Sequence, residues 1–80
     1  MTREEIINRV GKIFKDIFDD SSLVISEHLS PDQIDSWDSL NHINLLTAVQ
    51  QEFHIKFELS ELHRLNDVKT MVDAIVNKVS

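Results

Sequence analysis

The chain has 80 residues, no cysteine, one glycine and one proline, and its formal net charge at pH 7 is -6. This composition excludes a disulfide-stabilised scaffold and a thiolate metal site, and a hydrophobic fraction of 41% argues against a disordered tail. The negative charge argues against nucleic-acid binding, which needs a basic face, and no apolar run approaches the roughly 20 residues of a membrane span.

A chain of this length is expected to form a single domain over residues 1–80. Its core should be thin, because a domain this small buries only about 60% of the surface that its unfolded chain exposes. The N-terminal segment MTREEIINRV is charged and amphipathic, and it lacks the apolar centre and cleavage site of a signal peptide. We therefore expect a cytoplasmic protein.

The first predicted element is an amphipathic helix over about residues 3–18. Thr2 and Glu5 have the spacing of a capping box at its start. The apolar stripe behind them recurs at helical spacing. It consists of Ile6, Ile7, Val10, Ile13, Phe14, Ile17 and Phe18.

Residues 19–37 form the longest predicted connection, and loops of this length in compact domains are usually functional or partly structured. Ser30, Pro31 and Gln33 combine an N-cap, a proline at the first helical position and a capping-box partner, which predicts one short helical turn. Apolar residues should anchor the rest of the loop to the core, namely Leu23, Val24, Ile25, Leu29 and Ile34.

The second helix should begin with Asp38 as its N-cap and Ser39 as its first helical residue, and it should end near Phe53. Its predicted apolar face comprises Leu40, Ile43, Leu46, Val49 and Phe53, with Leu45 and Ala48 beside it. The stretch HIKF then predicts a short extended connector, and ELSELHRL predicts a short third helix near residues 58–65.

The last helix should be capped by Asn66 or Asp67. Its apolar stripe has near-ideal helical spacing and comprises Val68, Met71, Val72, Ile75, Val76 and Val79. The expected fold is therefore all-α: a small bundle of three main helices and one short helix, with a long loop between helices one and two.

The charge of the chain is unevenly distributed. Residues 16–55 contain no Lys or Arg. A surface of this kind can serve solubility alone, or it can attract basic partners by electrostatic steering. Both interpretations are open at this point. The acids of this span are Asp16, Asp19, Asp20, Glu27, Asp32, Asp35, Asp38 and Glu52.

Two kinds of chemistry can be weighed and set aside. Asp38, Ser39 and His42 could suggest a hydrolytic triad, but Asp38 is expected to cap the helix and no Gly-rich turn supplies donors for an oxyanion. A bundle this small also has little room for a water-excluding pocket, so we expect no enzyme activity. We also expect no metal site, because no two of the histidines have the i,i+4 spacing of a two-His site. The histidines are His28, His42, His54 and His63.

Trp37 and Ser39 each have two interpretations. Trp37 is expected to be an apolar lid on the thin core, and the alternative is a contact surface beside Ser39. Ser39 taken alone could be an ordinary helix-start serine. A hydroxyl at this position should nevertheless be exposed, and a phosphate on it would lie beside free backbone N–H groups and the positive end of the helix dipole. The position therefore favours an anionic modification.

The sequence resembles the acyl carrier proteins, a family of phosphopantetheine-binding carriers. The motif is Asp38-Ser39-Leu40 at the start of the second helix. The resemblance extends over the whole chain: the amphipathic first helix, the long loop, the stretch DSLNHINLLTAVQQEF, the short third helix and LNDVKTMVDAIV near the end.

The resemblance implies that Ser39 receives the 4′-phosphopantetheine arm of coenzyme A from a separate magnesium-dependent transferase. The thiol of the arm would carry an acyl or aminoacyl group as a thioester. Asp38 would cap the helix and contribute to recognition by the transferase, whereas Ser36 would belong to local loop structure. The docking face for partners would include Trp37, Leu40, Asn41, His42, Ile43 and Asn44.

The implied partners are a phosphopantetheinyl transferase and acyl- or aminoacyl-loading and acyl-processing enzymes with basic docking surfaces. We expect a monomer. An unmodified helical interaction module with a carrier-like frame is the alternative.

The sequence departs from carriers of the fatty-acid type, which usually place several acids along the second helix. The outward positions here are predicted to be the amides Asn41, Asn44, Gln50 and Gln51. This difference, together with the form WDSL, resembles discrete carriers of specialised polyketide, nonribosomal or aminoacyl pathways more than carriers of fatty-acid biosynthesis.

Overall fold

The computed structural model describes residues 1–79, which form four α-helices and one 3₁₀ turn and contain no strand. The elements in chain order are α1 (Arg3–Phe18), the 3₁₀ turn Pro31–Gln33, α2 (Ser39–Phe53), α3 (Leu59–Leu62) and α4 (Val68–Val79). This confirms the predicted all-α bundle with a long loop between helices one and two. No helix within residues 1–79 is long and apolar enough to cross a membrane.

Helix α3 is shorter than predicted. It spans four residues, whereas the sequence suggested a helix over 58–65. The backbone N–H groups of Arg64 and Leu65 donate to the carbonyls of Glu61 and Leu62, three residues back instead of four. This tighter bonding converts the end of the predicted helix into turns.

The core lies where α1 packs against α2 and α4. Ile6, Val10, Ile13 and Phe14 contribute the buried face of α1, as predicted. Leu45, Leu46, Val49 and Phe53 come from α2 and Val68, Met71, Val72 and Ile75 from α4. Trp37, Phe57 and Leu65 close the core from the connecting segments.

The predicted apolar face of α2 is wrong in its first turns. Leu40 and Ile43 are 67% and 61% exposed, although both were placed on the core-facing stripe. At this end of the helix Trp37, not Leu40, packs against Phe14, with the two rings 5.1 Å apart in an edge-to-face arrangement. The indole covers the core here, so Leu40 and Ile43 project into solvent.

The long loop is anchored largely as predicted. Leu23, Ile25, Leu29 and Ile34 pack against the core, but Val24 is 80% exposed. Successive side chains of an extended segment point to opposite sides, so Val24 faces outward between its two inward neighbours. Gly11 of α1 makes room for this segment, because a Cβ there would lie 3.2 Å from Cγ1 of Ile25.

Polar contacts tie the loop and the helix ends together. The guanidinium of Arg3 pairs with the carboxylates of Glu27 in the loop and Asp73 in α4. A hydrogen bond from Lys69, and a weaker effect of the one from Arg3, hold the pKa of the Asp73 carboxyl below its usual value. The ionised carboxylate therefore stabilises the fold above about pH 4, and this contribution is lost as acid protonates it.

Helix α2 begins as the sequence predicted. The carboxylate of Asp38 accepts a hydrogen bond of 2.9 Å from the backbone N–H of Asn41. The Asn41 side chain donates in turn to the carbonyl of Ser36, at 2.7 Å. These two bonds orient the entry of the chain into the helix and thereby place Ser39 on its first turn. At the start of α4 the carboxylate of Asp67 accepts from the N–H of Thr70 at 2.8 Å, which resolves the choice between Asn66 and Asp67.

Replacing buried core side chains by alanine should destabilise the protein strongly. Phe14 and Ile75 are fully buried and Leu46 is 7% exposed. We expect each of Phe14→Ala, Leu46→Ala and Ile75→Ala to lower the free energy of unfolding by about 2–5 kcal/mol, because each leaves a cavity. Urea denaturation measures this. Leu59→Ala, at a side chain 74% exposed, is the matched control and should change stability by less than about 0.5 kcal/mol.

Removing the N-cap of α2 should lower the free energy of unfolding by less than truncation of a core side chain does. We expect Asp38→Ala to lower the free energy of unfolding by about 1 kcal/mol. Asp38→Ser should keep nearly the wild-type stability, because a serine hydroxyl can still accept from the Asn41 N–H. Asp35→Ala removes an exposed carboxylate of the same loop and is the control. Equal destabilisation by the alanine and serine variants would contradict the capping role.

Candidate functional site

Ser39 is exposed and is the first residue of α2. Of the N–H groups at this helix start, that of Asn41 is taken by Asp38 and that of His42 by the carbonyl of Asp38. Within residues 1–79, the N–H groups of Ser39 and Leu40 donate no hydrogen bond. The hydroxyl therefore lies beside open donors at the positive end of the helix dipole.

A cleft of about 480 Å³ opens next to Ser39. The 3₁₀ turn, the start of α2 and the segment before α4 form its walls. Its lining residues are Pro31, Trp37, Asp38, Ser39, His42, Ile43 and Asn66. Pro31 and Asn66 had no predicted role in the site. The sequence contains no signal for them, because they reach the cleft only through the packing of the loop and of the segment before α4.

Trp37 belongs to the core. Its side chain is 7% exposed, and its ring contacts the rings of Phe14 and Phe18 at centroid distances of 5.1 and 6.2 Å. This agrees with the interpretation as an apolar lid, and the role of Trp37 in a docking face stays a prediction. Only part of the ring is left to line the cleft.

His42 is half-buried and is joined to Trp37. Its Nδ1 accepts a hydrogen bond of 3.0 Å from the indole Nε1–H. The ring planes differ by 25° and the centroids are 6.1 Å apart, so the rings lie side by side and do not stack face to face. The sequence did not predict this bond, because Trp37 precedes the helix and its orientation depends on the core.

The remaining predicted docking residues differ in how much they present to a partner. Leu40, Ile43 and Asn44 are exposed on the first turns of α2. Asn41 is half-buried and its amide is held by the carbonyl of Ser36. Leu59 of α3, 74% exposed, is a further large apolar side chain that the sequence did not single out.

Of the four amides of α2 that are predicted to point outward, Asn41 and Gln50 are half-buried. Asn41 braces the helix entry as described above. Gln50 donates to the carbonyl of Leu46 at 3.0 Å and accepts from the backbone N–H of Phe57 at 2.9 Å. Its amide therefore holds the connector between α2 and α3. Asn44 and Gln51 are the exposed amides.

The single acid of α2 is also engaged, since Glu52 pairs with Arg9 of α1 at 3.3 Å. Residues 1–79 contain no cluster of three His, Cys, Asp or Glu side chains that could hold a metal ion. His28, His54 and His63 are exposed, and His54 ends α2 in a left-handed conformation with φ of 53°.

Known proteins are similar to this chain over nearly its full length. No protein-family model matches the chain. An acyl carrier protein of Cyanidium caldarium is 26% identical over 82 aligned positions, which cover all of this chain and 93% of that protein. The solution NMR structure of a holo acyl carrier protein from Geobacter metallireducens is 36% identical and superposes with a TM-score of 0.85, covering 92% of this chain and 85% of that one. An exposed serine on the first turn of α2, in a chain that matches this structure over nearly its full length, leads to one conclusion: the chain belongs to the acyl carrier protein family.

Proposed function

We propose that this carrier protein bears a 4′-phosphopantetheine arm on Ser39 and presents acyl or aminoacyl cargo to partner enzymes, with residues 1–80 forming one carrier domain. When bound, the arm supplies a thiol that holds the cargo as a thioester. The observation that carries the proposal is the exposed Ser39 hydroxyl at a capped helix start with open N–H donors and an adjoining cleft.

The residues around Ser39 fit a phosphate-linked group. Free N–H groups of Ser39 and Leu40 can accommodate an anionic phosphate, and Asp38 leaves these donors open because it caps the N–H of Asn41. The cleft beside the hydroxyl has apolar walls from Trp37 and Ile43 and can receive the start of a flexible arm. The tether then raises the effective concentration of the cargo at each enzyme that docks.

Loading tests the attachment site. Incubation of the protein with coenzyme A, magnesium and a broad-specificity transferase should add the mass of one phosphopantetheine. Ser39→Ala should add none, and its circular dichroism should stay helical, because the side chain is exposed.

Ser36→Ala is the matched control for this experiment, since Ser36 is an exposed serine three residues before Ser39. It should load like the wild type. Loading of Ser39→Ala at Ser36 would overturn the assignment. Absence of loading in the wild-type protein would favour an unmodified interaction module.

The charges on α2 support a second part of the proposal, that enzymes of fatty-acid chain extension are poor partners. Glu52 is the single acid within α2, and Arg9 neutralises it. Asn44 and Gln51 occupy exposed positions with amides. A basic enzyme surface therefore finds little negative charge along α2, while Leu40 and Ile43 offer it apolar surface.

Adding charge at the exposed amides should improve recognition by a chain-extending enzyme. We expect holo protein with Asn44→Asp and Gln51→Glu to gain about twofold to thirtyfold in kcat/KM, since two exposed ion pairs contribute about 0.2–1 kcal/mol each and about 1.4 kcal/mol is tenfold. The gain should fade as salt rises.

Asn8→Asp with Asn77→Asp adds the same charge on α1 and α4 and is the control for net charge. Asn41 and Gln50 are left unchanged because their amides brace the backbone. An equal gain in the control, or a gain that persists at high salt, would show that charge on α2 does not select the partner.

A further inference from the structure

The imidazole Nε2 of His42, in the cleft beside Ser39, has no hydrogen-bond partner within residues 1–79. Nδ1 of His42 is occupied by the indole of Trp37. Every buried side-chain nitrogen or oxygen within residues 1–79 does have a hydrogen-bond partner, so Nε2 is not buried. Nε2 is therefore accessible to solvent, in the ring of a residue that lines the same cleft as Ser39.

The bond to Trp37 determines which nitrogen of His42 carries the proton. An indole N–H can only donate, so Nδ1 must offer its lone pair. A neutral imidazole has one proton, and with Nδ1 as acceptor that proton resides on Nε2. The side-by-side rings, 25° apart in plane, suit a lone pair that lies in the plane of the imidazole. Trp37 thus presents His42 as an Nε2–H donor.

The helix brings the ring that carries this donor close to Ser39. Residues three apart on an α-helix are neighbours on its surface, and helical side chains lean towards the N-terminus. His42, at the end of the first turn of α2, therefore leans back towards Ser39. The other titratable group of the cleft is Asp38, whose carboxylate is engaged with the N–H of Asn41.

We propose that His42 is a positioning residue for the arm: its Nε2–H donates to the phosphate attached to Ser39, and Trp37 fixes the tautomer that makes this possible. The inference rests on the proposed attachment at Ser39. The backbone N–H groups of Ser39 and Leu40 donate along the helix axis, and the imidazole of His42 donates from the side of the cleft. Together they hold the phosphate end of the arm on the side of α2 that faces Pro31 and Asn66.

The rigidity of the donor comes from the core. Trp37 is buried and makes an edge-to-face contact with Phe14, so its N–H points in a fixed direction. His42 consequently loses little additional freedom when it binds a phosphate, which is the benefit of preorganisation. A neutral donor also holds an anion more weakly than a lysine would, which leaves the arm able to swing into a partner enzyme.

Nitrogen-15 NMR of the imidazole rings tests the proposal in unmodified and phosphopantetheine-loaded protein at neutral pH. We expect His42 to show an Nε2–H tautomer in both forms and its Nε2 resonance to move on loading. His28, His54 and His63 lie outside the cleft and serve as internal controls that should not move. A protonated Nδ1, an unchanged His42, or equal shifts at all four histidines would overturn the proposal.

Two substitutions distinguish the roles of Nδ1 and Nε2 of His42. His42→Asn keeps an acceptor near Nδ1 for Trp37 and removes the Nε2 donor, whereas His42→Gln keeps a donor near the position of Nε2. We expect the phosphorus-31 resonance of loaded His42→Gln to lie closer to wild type than that of loaded His42→Asn. Equal resonances in all three proteins would overturn the role of His42. Intact mass is measured first: failure of the wild type to load refutes the attachment site itself, and normal loading without an effect at His42 refutes only the inference about His42.

Discussion

The burial of the Trp37 ring against Phe14 determines how the long loop meets the second helix. The edge-to-face geometry at 5.1 Å contributes about 0.5–1.5 kcal/mol beyond the burial of the two rings, a substantial amount for a small domain. With the indole fixed, the backbone N–H of Trp37 donates to the carbonyl of Ile34. The next residue, Asp38, then caps the helix. Ser39 is positioned by this sequence of contacts.

The same constraint shapes the surface around the site. Because the indole covers the end of the core, Leu40 and Ile43 are not needed inside and stand exposed on α2. Because the indole N–H is buried, it needs an acceptor, and His42 supplies one from the end of the first turn of the helix. One buried aromatic residue therefore accounts for an apolar surface and an oriented imidazole, both within two turns of Ser39.

Charge is organised separately from this apolar frame. The partners of Arg3, Arg9 and Lys78 are all acids on other elements: Glu27 and Asp73, Glu52, and Glu61. Exposed pairs of this kind add little stability each, but they remove local charge from the surfaces on which they lie. Pairing with Arg9 leaves α2 with little net negative charge, while the loop before it keeps exposed acids such as Asp32 and Asp35. A partner that approaches Ser39 thus meets negative potential from the loop and apolar side chains from the helix.

The sequence by itself determined the features that depend on near neighbours in the chain. The start of α1 at Thr2, the turn at Pro31–Gln33, the cap of Asp38 and the exposed Ser39 all follow from interactions within three or four residues, which a sequence displays directly.

Only the tertiary structure decided which side chains of α2 face the core and what its polar groups do. Leu40 had the spacing of a core residue, yet its place is taken by Trp37, which reaches Phe14 on a different helix. Gln50 looked like a free surface amide, yet it bonds to the backbone of Phe57. Helical periodicity tells which residues share a face but not where the core ends along the helix axis. That limit is set by contacts between residues that are distant in sequence, such as Trp37 and Phe14, and the same packing orients the indole that bonds to His42.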